Sequence, residues 1–88
     1  MKTQQETRDA LRILGEAIET ANASGKEADQ DNVMTALTAI SDFPGEQYTE
    51  VVGSLGSLAS RCYAQDLCFA INGWASDISA CIVTDPEK

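Results

Sequence analysis

Residues 66–83, DLCFAINGWASDISACIV, carry the clearest structural signal in the chain. Large apolar side chains recur there at spacings of four, three, four and four residues, which is the period of one helix face. The members of this stripe are Leu67, Ile71, Trp74, Ile78 and Ile82. We therefore predict a helix that has Asp66 as its N-cap and Gly73 as a weak point where it can bend. A short strand over residues 81–84 is the competing local interpretation.

An N-terminal helix is predicted over residues 3–23. Thr3 and Glu6 form the T-x-x-E pattern of a capping box, in which a hydroxyl and a carboxylate satisfy backbone N–H groups of the first turn. Apolar residues then follow on one helix face: Leu11, Leu14, Ile18 and Ala21. Gly25 suits the left-handed conformation that commonly ends a helix. Residues 26–30 are a polar link.

A second helix is predicted to begin at Asp29 or Asp31, either of which can cap it, and to run to about Asp42. Its apolar face comprises Val33, Leu37 and Ile40, with Met34 and Phe43 at the margins. Phe43 precedes Pro44, and a residue before proline is pushed away from helical geometry. The helix is therefore expected to end there.

A third helix is predicted from about residue 47 to about residue 63. Its inward residues are expected to be Val52, Leu55, Leu58 or Ala59, and Cys62. Small residues weaken its intrinsic propensity and favour the close approach of another helix. They are Gly53, Gly56, Ser57 and Ser60.

Four amphipathic segments joined by short links predict an all-α fold, a small antiparallel bundle of about four helices. The 88 residues suffice for one domain, 1–88, with fraying ends at 1–3 and 84–88. The N-terminus is polar, and the weakly charged run at residues 67–83 is shorter than the roughly 20 residues that span a bilayer. We therefore expect a cytoplasmic protein that does not bind membranes.

The three cysteines, Cys62, Cys68 and Cys81, are expected to be reduced and to serve as small buried hydrophobic residues. Three thiols cannot all pair within one chain. A bridge between Cys62 and Cys68 across a turn remains the alternative in an oxidised preparation.

The sequence offers little to catalysis, so we predict that the protein is not an enzyme and binds no cofactor or metal. It contains no histidine, the usual base beside a serine or cysteine nucleophile and the commonest metal ligand. Asp29 and Asp31 resemble the start of a calcium loop, but the later positions of that loop do not match. Residues 53–57, GSLGS, lack the lysine of a phosphate loop, and Arg61 is the only cation near them in sequence.

Acidic residues are concentrated in one part of the chain. The formal net charge is −8, and residues 27–60 contain six acidic residues and no basic residue. They are Glu27, Asp29, Asp31, Asp42, Glu46 and Glu50. Nucleic-acid binding needs a surplus of Lys and Arg, so we expect no direct contact with nucleic acid. Uncompensated carboxylates cost self-repulsion, which a solubility role alone does not require. We therefore predict that these six residues bind a partner.

Length, acidity and this acid-rich segment give the chain a class resemblance. It resembles the small inhibitors carried by phages and mobile elements, above all anti-CRISPR proteins, and also immunity proteins that block nuclease toxins. Several anti-CRISPR proteins place carboxylates over the Lys/Arg surface that a nuclease complex uses for guide RNA or target DNA.

The resemblance implies a stoichiometric inhibitor that binds a basic, nucleic-acid-handling surface of a protein partner. The alternatives are a toxin-immunity protein and a homo-oligomeric structural or adaptor module. In that last case an apolar face of the third or fourth helix would be buried between subunits, so a homodimer is a further expectation. Complementary charge would speed encounter with a basic partner, and a few apolar contacts would slow dissociation.

Overall fold

The computed structural model describes the backbone of residues 2–84 and the side chains of residues 2–80. Four α-helices and one 3-10 turn follow each other in chain order. They are α1 (Gln4–Ser24), α2 (Glu27–Thr38), the 3-10 turn (Gly45–Gln47), α3 (Tyr48–Arg61) and α4 (Gln65–Thr84). The predicted all-α fold is confirmed, and residues 81–84, the alternative strand, belong to α4 instead. Of the C-terminal stretch predicted to fray, 84–88, Thr84 is the last residue of α4, and residues 85–88 lie outside the described residues.

The helices form two hairpins, α1 with α2 and α3 with α4, and the hairpins meet through α1 on α3 and α2 on α4. The Gln47 side-chain amide donates to the Gln4 carbonyl oxygen at 3.3 Å, and that of Asn22 donates to the Arg61 carbonyl oxygen at 2.8 Å. The first bond lies at the start of both α1 and α3, and the second lies at the end of both. These two helices therefore run parallel, and the short links at residues 25–26 and 62–64 reverse the chain within each hairpin.

α1 has the caps that the sequence predicts. The Thr3 hydroxyl accepts from the Glu6 amide at 3.1 Å, and the Glu6 carboxylate accepts from the Thr3 amide at 2.8 Å. At the other end Gly25 has a φ of 65°, and its N–H donates to the Ala21 carbonyl at 2.8 Å. The predicted apolar stripe of α1 is buried throughout: Leu11, Leu14, Ile18 and Ala21.

The predicted start of α2 was wrong. Lys26 occupies the N-cap position without a side-chain cap bond, and the helix begins at Glu27. Asp29 therefore lies in the first turn of α2 and Asp31 lies further inside the helix. Neither residue is the N-cap. Acidic residues near a helix N-terminus are favoured by the helix dipole without capping it.

The predicted end of α2 was also wrong, because the helix stops at Thr38 instead of near Asp42. The Trp74 indole N–H donates to the Ile40 carbonyl oxygen at 2.9 Å. Asp42 has a φ of 57°, in the left-handed region that a right-handed helix does not enter. The chain therefore leaves α2 one turn early and reverses before Pro44.

In α3 the buried valine is Val51, whereas the predicted Val52 is only half-buried. The expectation of a close helix contact was wrong at the two glycines of α3. A Cβ placed on Gly53 or Gly56 meets nothing within 4 Å, whereas one on Gly15 of α1 would lie 3.3 Å from Cδ2 of Leu58. The close approach is therefore on the opposite side of α3, where α1 passes.

α4 begins at Gln65, one residue before the predicted cap Asp66, and continues as a helix through Gly73. Its predicted inward residues Leu67 and Ile71 are buried, and Trp74 and Ile78 are half-buried against the core. The Ile82 side chain lies outside the described residues. α4 thus packs along the predicted stripe, and the Trp74 indole contacts the chain that follows α2.

Cys62 and Cys68 are free thiols in this structure. Both are half-buried. Burial raises the pKa of Cys62, and an interaction with the Ala64 backbone partly offsets this effect. The Cys62 thiol also lies 3.8 Å from the Ala64 carbonyl oxygen. The side chain of Cys81, the third predicted buried thiol, lies outside the described residues.

Candidate partner-binding surface

The six predicted partner-binding residues lie in two groups at opposite ends of α2. Glu27, Asp29 and Asp31 occupy its first turns and form what we call the α2 acidic group. Asp42, Glu46 and Glu50 lie after α2 and around the 3-10 turn, and form the turn acidic group. The twelve residues of α2 span about 18 Å at 1.5 Å per residue. The acid-rich segment is therefore not one continuous patch.

The turn acidic group lies against cations from the start of α1. Nε of Arg8 donates to Oε2 of Glu50 at 3.0 Å, and its Nη2 donates to Oε1 at 3.3 Å. These hydrogen bonds from Arg8 lower the pKa of Glu50, and the same contact raises the pKa of Arg8. The charge of Glu50 is therefore used within the fold, where it joins α3 to α1.

The N-terminal residues also bind the chain that leaves α2. The Lys2 amide donates to the Asp42 carbonyl at 2.8 Å, and Nζ of Lys2 donates to the Ser41 carbonyl at 2.8 Å. A second cation therefore lies beside the turn acidic group. Nothing in the acid-rich segment indicated these partners, since both come from the first eight residues.

In the α2 acidic group, Asp29 has a structural role. Its carboxylate accepts a hydrogen bond from the Ser24 hydroxyl, and the Ser24 oxygen accepts from the Lys26 amide at 3.1 Å. These bonds connect the end of α1 to the first turn of α2. Asp29 is half-buried, and its carboxylate contributes to the link between the two helices.

The other two members, Glu27 and Asp31, are exposed, and within the described residues their carboxylates form no hydrogen bond or ion pair. They are four residues apart, and Met34 follows three residues later, so all three share one face of α2. Met34 is 39% exposed, whereas Val33 and Leu37 on the inner side of α2 are 0% and 1% exposed. We call Glu27, Asp31 and Met34 the α2 outer face.

The α2 outer face combines two available carboxylates with an exposed, flexible apolar side chain. Such a surface suits recognition of cations, since a lysine or arginine head group can bind a carboxylate while its aliphatic stem covers the methionine. Sequence reasoning placed Met34 only at the margin of the core. Its spacing of three residues from Asp31 and seven from Glu27 was the signal that indicated a shared exposed face.

Within residues 2–80, no group of three or more His, Cys, Asp and Glu side chains is placed to hold a metal ion. Among the described helices, none is both long and apolar enough to cross a membrane. In comparisons with known proteins, no family model, no curated protein and no solved structure matches the chain.

Proposed function

We propose that this protein is a stoichiometric inhibitor that binds a basic, nucleic-acid-handling surface of a protein partner, in the manner of anti-CRISPR proteins. The observation that carries the proposal is the α2 outer face. In a chain whose net charge is −8, it presents Glu27 and Asp31 without a cation bound to either within the described residues, beside the exposed Met34.

Charge and an apolar contact would act together at this face. Complementary charge raises the rate of encounter with a basic surface and selects against acidic partners. Burial of Met34 against the partner then slows dissociation, since affinity differences reside mainly in the dissociation rate. A carboxylate that binds the partner's arginines or lysines occupies positions where nucleic-acid phosphates would bind. Inhibition then follows from competition, with no chemical step.

The turn acidic group has a smaller part in this proposal. Glu50 is already paired with Arg8, so recruitment by a partner would first break a contact between α1 and α3. Glu46 is exposed at the 3-10 turn and adds to the negative field. We assign this group to long-range attraction and the α2 outer face to direct contact.

A titration tests the proposal. Guide-RNA-loaded CRISPR nucleases of several types, each purified, are mixed with increasing amounts of this protein, and target-DNA binding is measured. We expect at least one nuclease to lose DNA binding near a one-to-one ratio. The E27K/D31K variant should lose this inhibition, because each lysine would face like charges on the partner.

The matched control is the D66K/D77K variant. Asp66 and Asp77 are exposed acids in the first turn and the middle of α4, so the control changes the net charge equally at comparable helix positions. It should retain most of the inhibition. Absence of inhibition with every nuclease contradicts the inhibitor proposal, and equal loss in both variants contradicts the assignment to α2.

One observation favours a second candidate, the homo-oligomeric module. Phe69 on α4 is 64% exposed, and a Cβ on Gly73, four residues later on the same face, meets nothing within 4 Å. An exposed aromatic ring beside an open glycine suits a contact between two copies of α4. Light scattering at low and high salt separates the candidates: a salt-insensitive dimer that F69S converts to monomer supports the module, and a monomer contradicts it.

A further inference from the structure

A shallow groove between α1 and α3 is lined by two cations in a protein whose net charge is −8. Its volume is about 250 Å³, and its lining residues are Leu11, Arg12, Ser54, Ser57, Leu58 and Arg61. The two leucines are buried and form the floor. The polar lining consists of two arginines and two serines without a carboxylate. In a protein with 14 acidic residues, this combination marks a place suited to an anion.

The fold brings the two arginines together from positions 49 residues apart. Gly15 makes room for Arg61, because a Cβ there would lie 3.6 Å from Nη2 of Arg61 and 3.3 Å from Cδ2 of Leu58. Asn22 holds the end of α3 beside α1 through its bond to the Arg61 carbonyl. The Arg61 guanidinium therefore lies over the glycine, one turn along α1 from Arg12.

The two guanidinium groups differ in how far they are neutralised. Arg12 binds Glu16 at 3.1 Å and lies 3.9 Å from Asp9, both on its own helix. The Arg61 guanidinium forms no ion pair or hydrogen bond with any side chain in the described part of the chain. Its position in the last turn of α3 is favoured by the helix dipole, but that interaction leaves its N–H donors available.

The serine hydroxyls are available in the same way. Ser60, outside the groove, donates to the Gly56 carbonyl of its own helix at 3.1 Å. Ser54 and Ser57 form no such bond within residues 2–80, so both hydroxyls can donate to a ligand. They lie seven and four residues before Arg61 and therefore share its side of α3.

We propose that this groove binds a phosphate group of a small phosphorylated molecule, with the Arg61 guanidinium and the Ser54 and Ser57 hydroxyls as hydrogen-bond donors and Arg12 as a second cation. Guanidinium groups match the geometry of phosphate oxygens and bind them in bidentate fashion. The groove is smaller than the about 300–1,000 Å³ of most ligand pockets, so it admits a phosphate with little attached. The net charge of −8 disfavours a polyanion such as nucleic acid.

Nuclear magnetic resonance can test this site in the whole protein. Inorganic phosphate is titrated at constant ionic strength while backbone amide and arginine Nε signals are recorded. We expect saturable shifts at Ser54, Ser57 and Arg61. The R61Q variant should bind phosphate about tenfold more weakly or worse, because a charged hydrogen-bond donor is lost. Shifts that rise linearly without saturation overturn the proposal.

The R8Q variant is the matched control, since Arg8 has the same chemistry on α1 but pairs with Glu50 outside the groove. It should bind phosphate with less than about a twofold change. If R61Q does not fold, as judged by circular dichroism, R12Q replaces it and should also weaken binding. Equal weakening in R8Q and the groove variant overturns the proposal.

A second titration identifies the source of the phosphate. Glycerol phosphate and a single-stranded oligonucleotide are compared at equal phosphate concentration. Tighter binding of glycerol phosphate supports the small-molecule proposal, and tighter binding of the oligonucleotide contradicts it. The tests use residues outside the α2 outer face, so failure of this site leaves the inhibitor proposal standing, and the reverse also holds.

Discussion

The α2 acidic group and the turn acidic group come from one uninterrupted acid-rich segment, yet the fold treats them differently. In the turn group, Glu50 is paired with Arg8, and Lys2 binds the backbone at residues 41 and 42. In the α2 group, Asp29 binds Ser24, while Glu27 and Asp31 face outward without a partner among the described residues. All six acids have similarly acidic neighbours in sequence. Whether a carboxylate is available to a partner therefore depends on which distant residues the fold brings beside it.

The largest expected effect separates the two faces of α2. Leu37 is 1% exposed, so L37A should lower the free energy of unfolding by about 2–5 kcal/mol through lost burial and a residual cavity. M34A, on the outer face, should change it by less than about 0.5 kcal/mol. Urea denaturation measures both. A similar loss in the two variants would show that the outer face is packed, which contradicts its assignment as a contact surface.

Trp74 binds the chain segment that follows α2, between the two acidic groups. W74F keeps an aromatic ring but removes the N–H that binds the Ile40 carbonyl. We expect a loss of about 1–2 kcal/mol in the free energy of unfolding. Hydrogen exchange should also become faster at residues 40–42. Unchanged stability together with unchanged exchange would mean that this bond does not hold the turn.

A pH experiment tests whether Glu50 stabilises the fold more than Glu46, the other glutamate of the turn acidic group. The pKa of Glu50 is lowered from its ordinary value of 4.5 in the folded protein, so its pairing stabilises the fold above pH 4.5 and is lost as the pH falls through the lowered pKa. E50Q should therefore be less stable than the wild type at pH 7, and the difference should be smaller at a second, acidic pH below 4.5.

The control for this experiment is E46Q, which removes the same charge without removing an ion pair from the described residues. Thermal unfolding at the two pH values measures both variants. Equal destabilisation by E46Q and E50Q at pH 7 would show that general charge, and not the contact with Arg8, determines the effect.

The smallest effect is expected at Gln47, beneath the turn acidic group. This residue is 3% exposed, and its Oε1 is buried without a hydrogen-bond partner. A buried polar atom without a partner costs free energy. Q47L should therefore leave the melting temperature unchanged or raise it, although it removes the bond to the Gln4 carbonyl. A clear fall in the melting temperature would contradict this account.

Much of the fold could be predicted because its signals are local. The capping box at Thr3 and the stripes of α1 and α4 depend on residues within a few turns of each other, so their periodicity alone indicated the burial of Leu14 and Ile71. The boundaries of α2 could not be predicted. The chain that follows its end is bound by Trp74, 34 residues after Ile40, and such a contact has no local signal in the sequence.

The candidate surface was predictable in composition but not in arrangement. The six acids were visible in the sequence, whereas the pairing of Glu50 with Arg8 depends on parallel packing of α1 and α3. The same packing places Arg12 and Arg61 in one groove. From the sequence, Arg61 was the only cation expected near residues 53–57. Periodicity identifies the inner face of each helix, but it does not say which helices become neighbours.

The central claim is that the α2 outer face, and not the turn acidic group, contacts the partner. The most direct test compares two neutral variants, E27Q/D31Q and E46Q/E50Q, for affinity to a nuclease that the wild type inhibits. Both remove two negative charges, and thermal unfolding checks that both fold. The account predicts that E27Q/D31Q weakens binding about tenfold or more, while E46Q/E50Q weakens it less than about threefold. Equal weakening, or a larger loss in E46Q/E50Q, would contradict it.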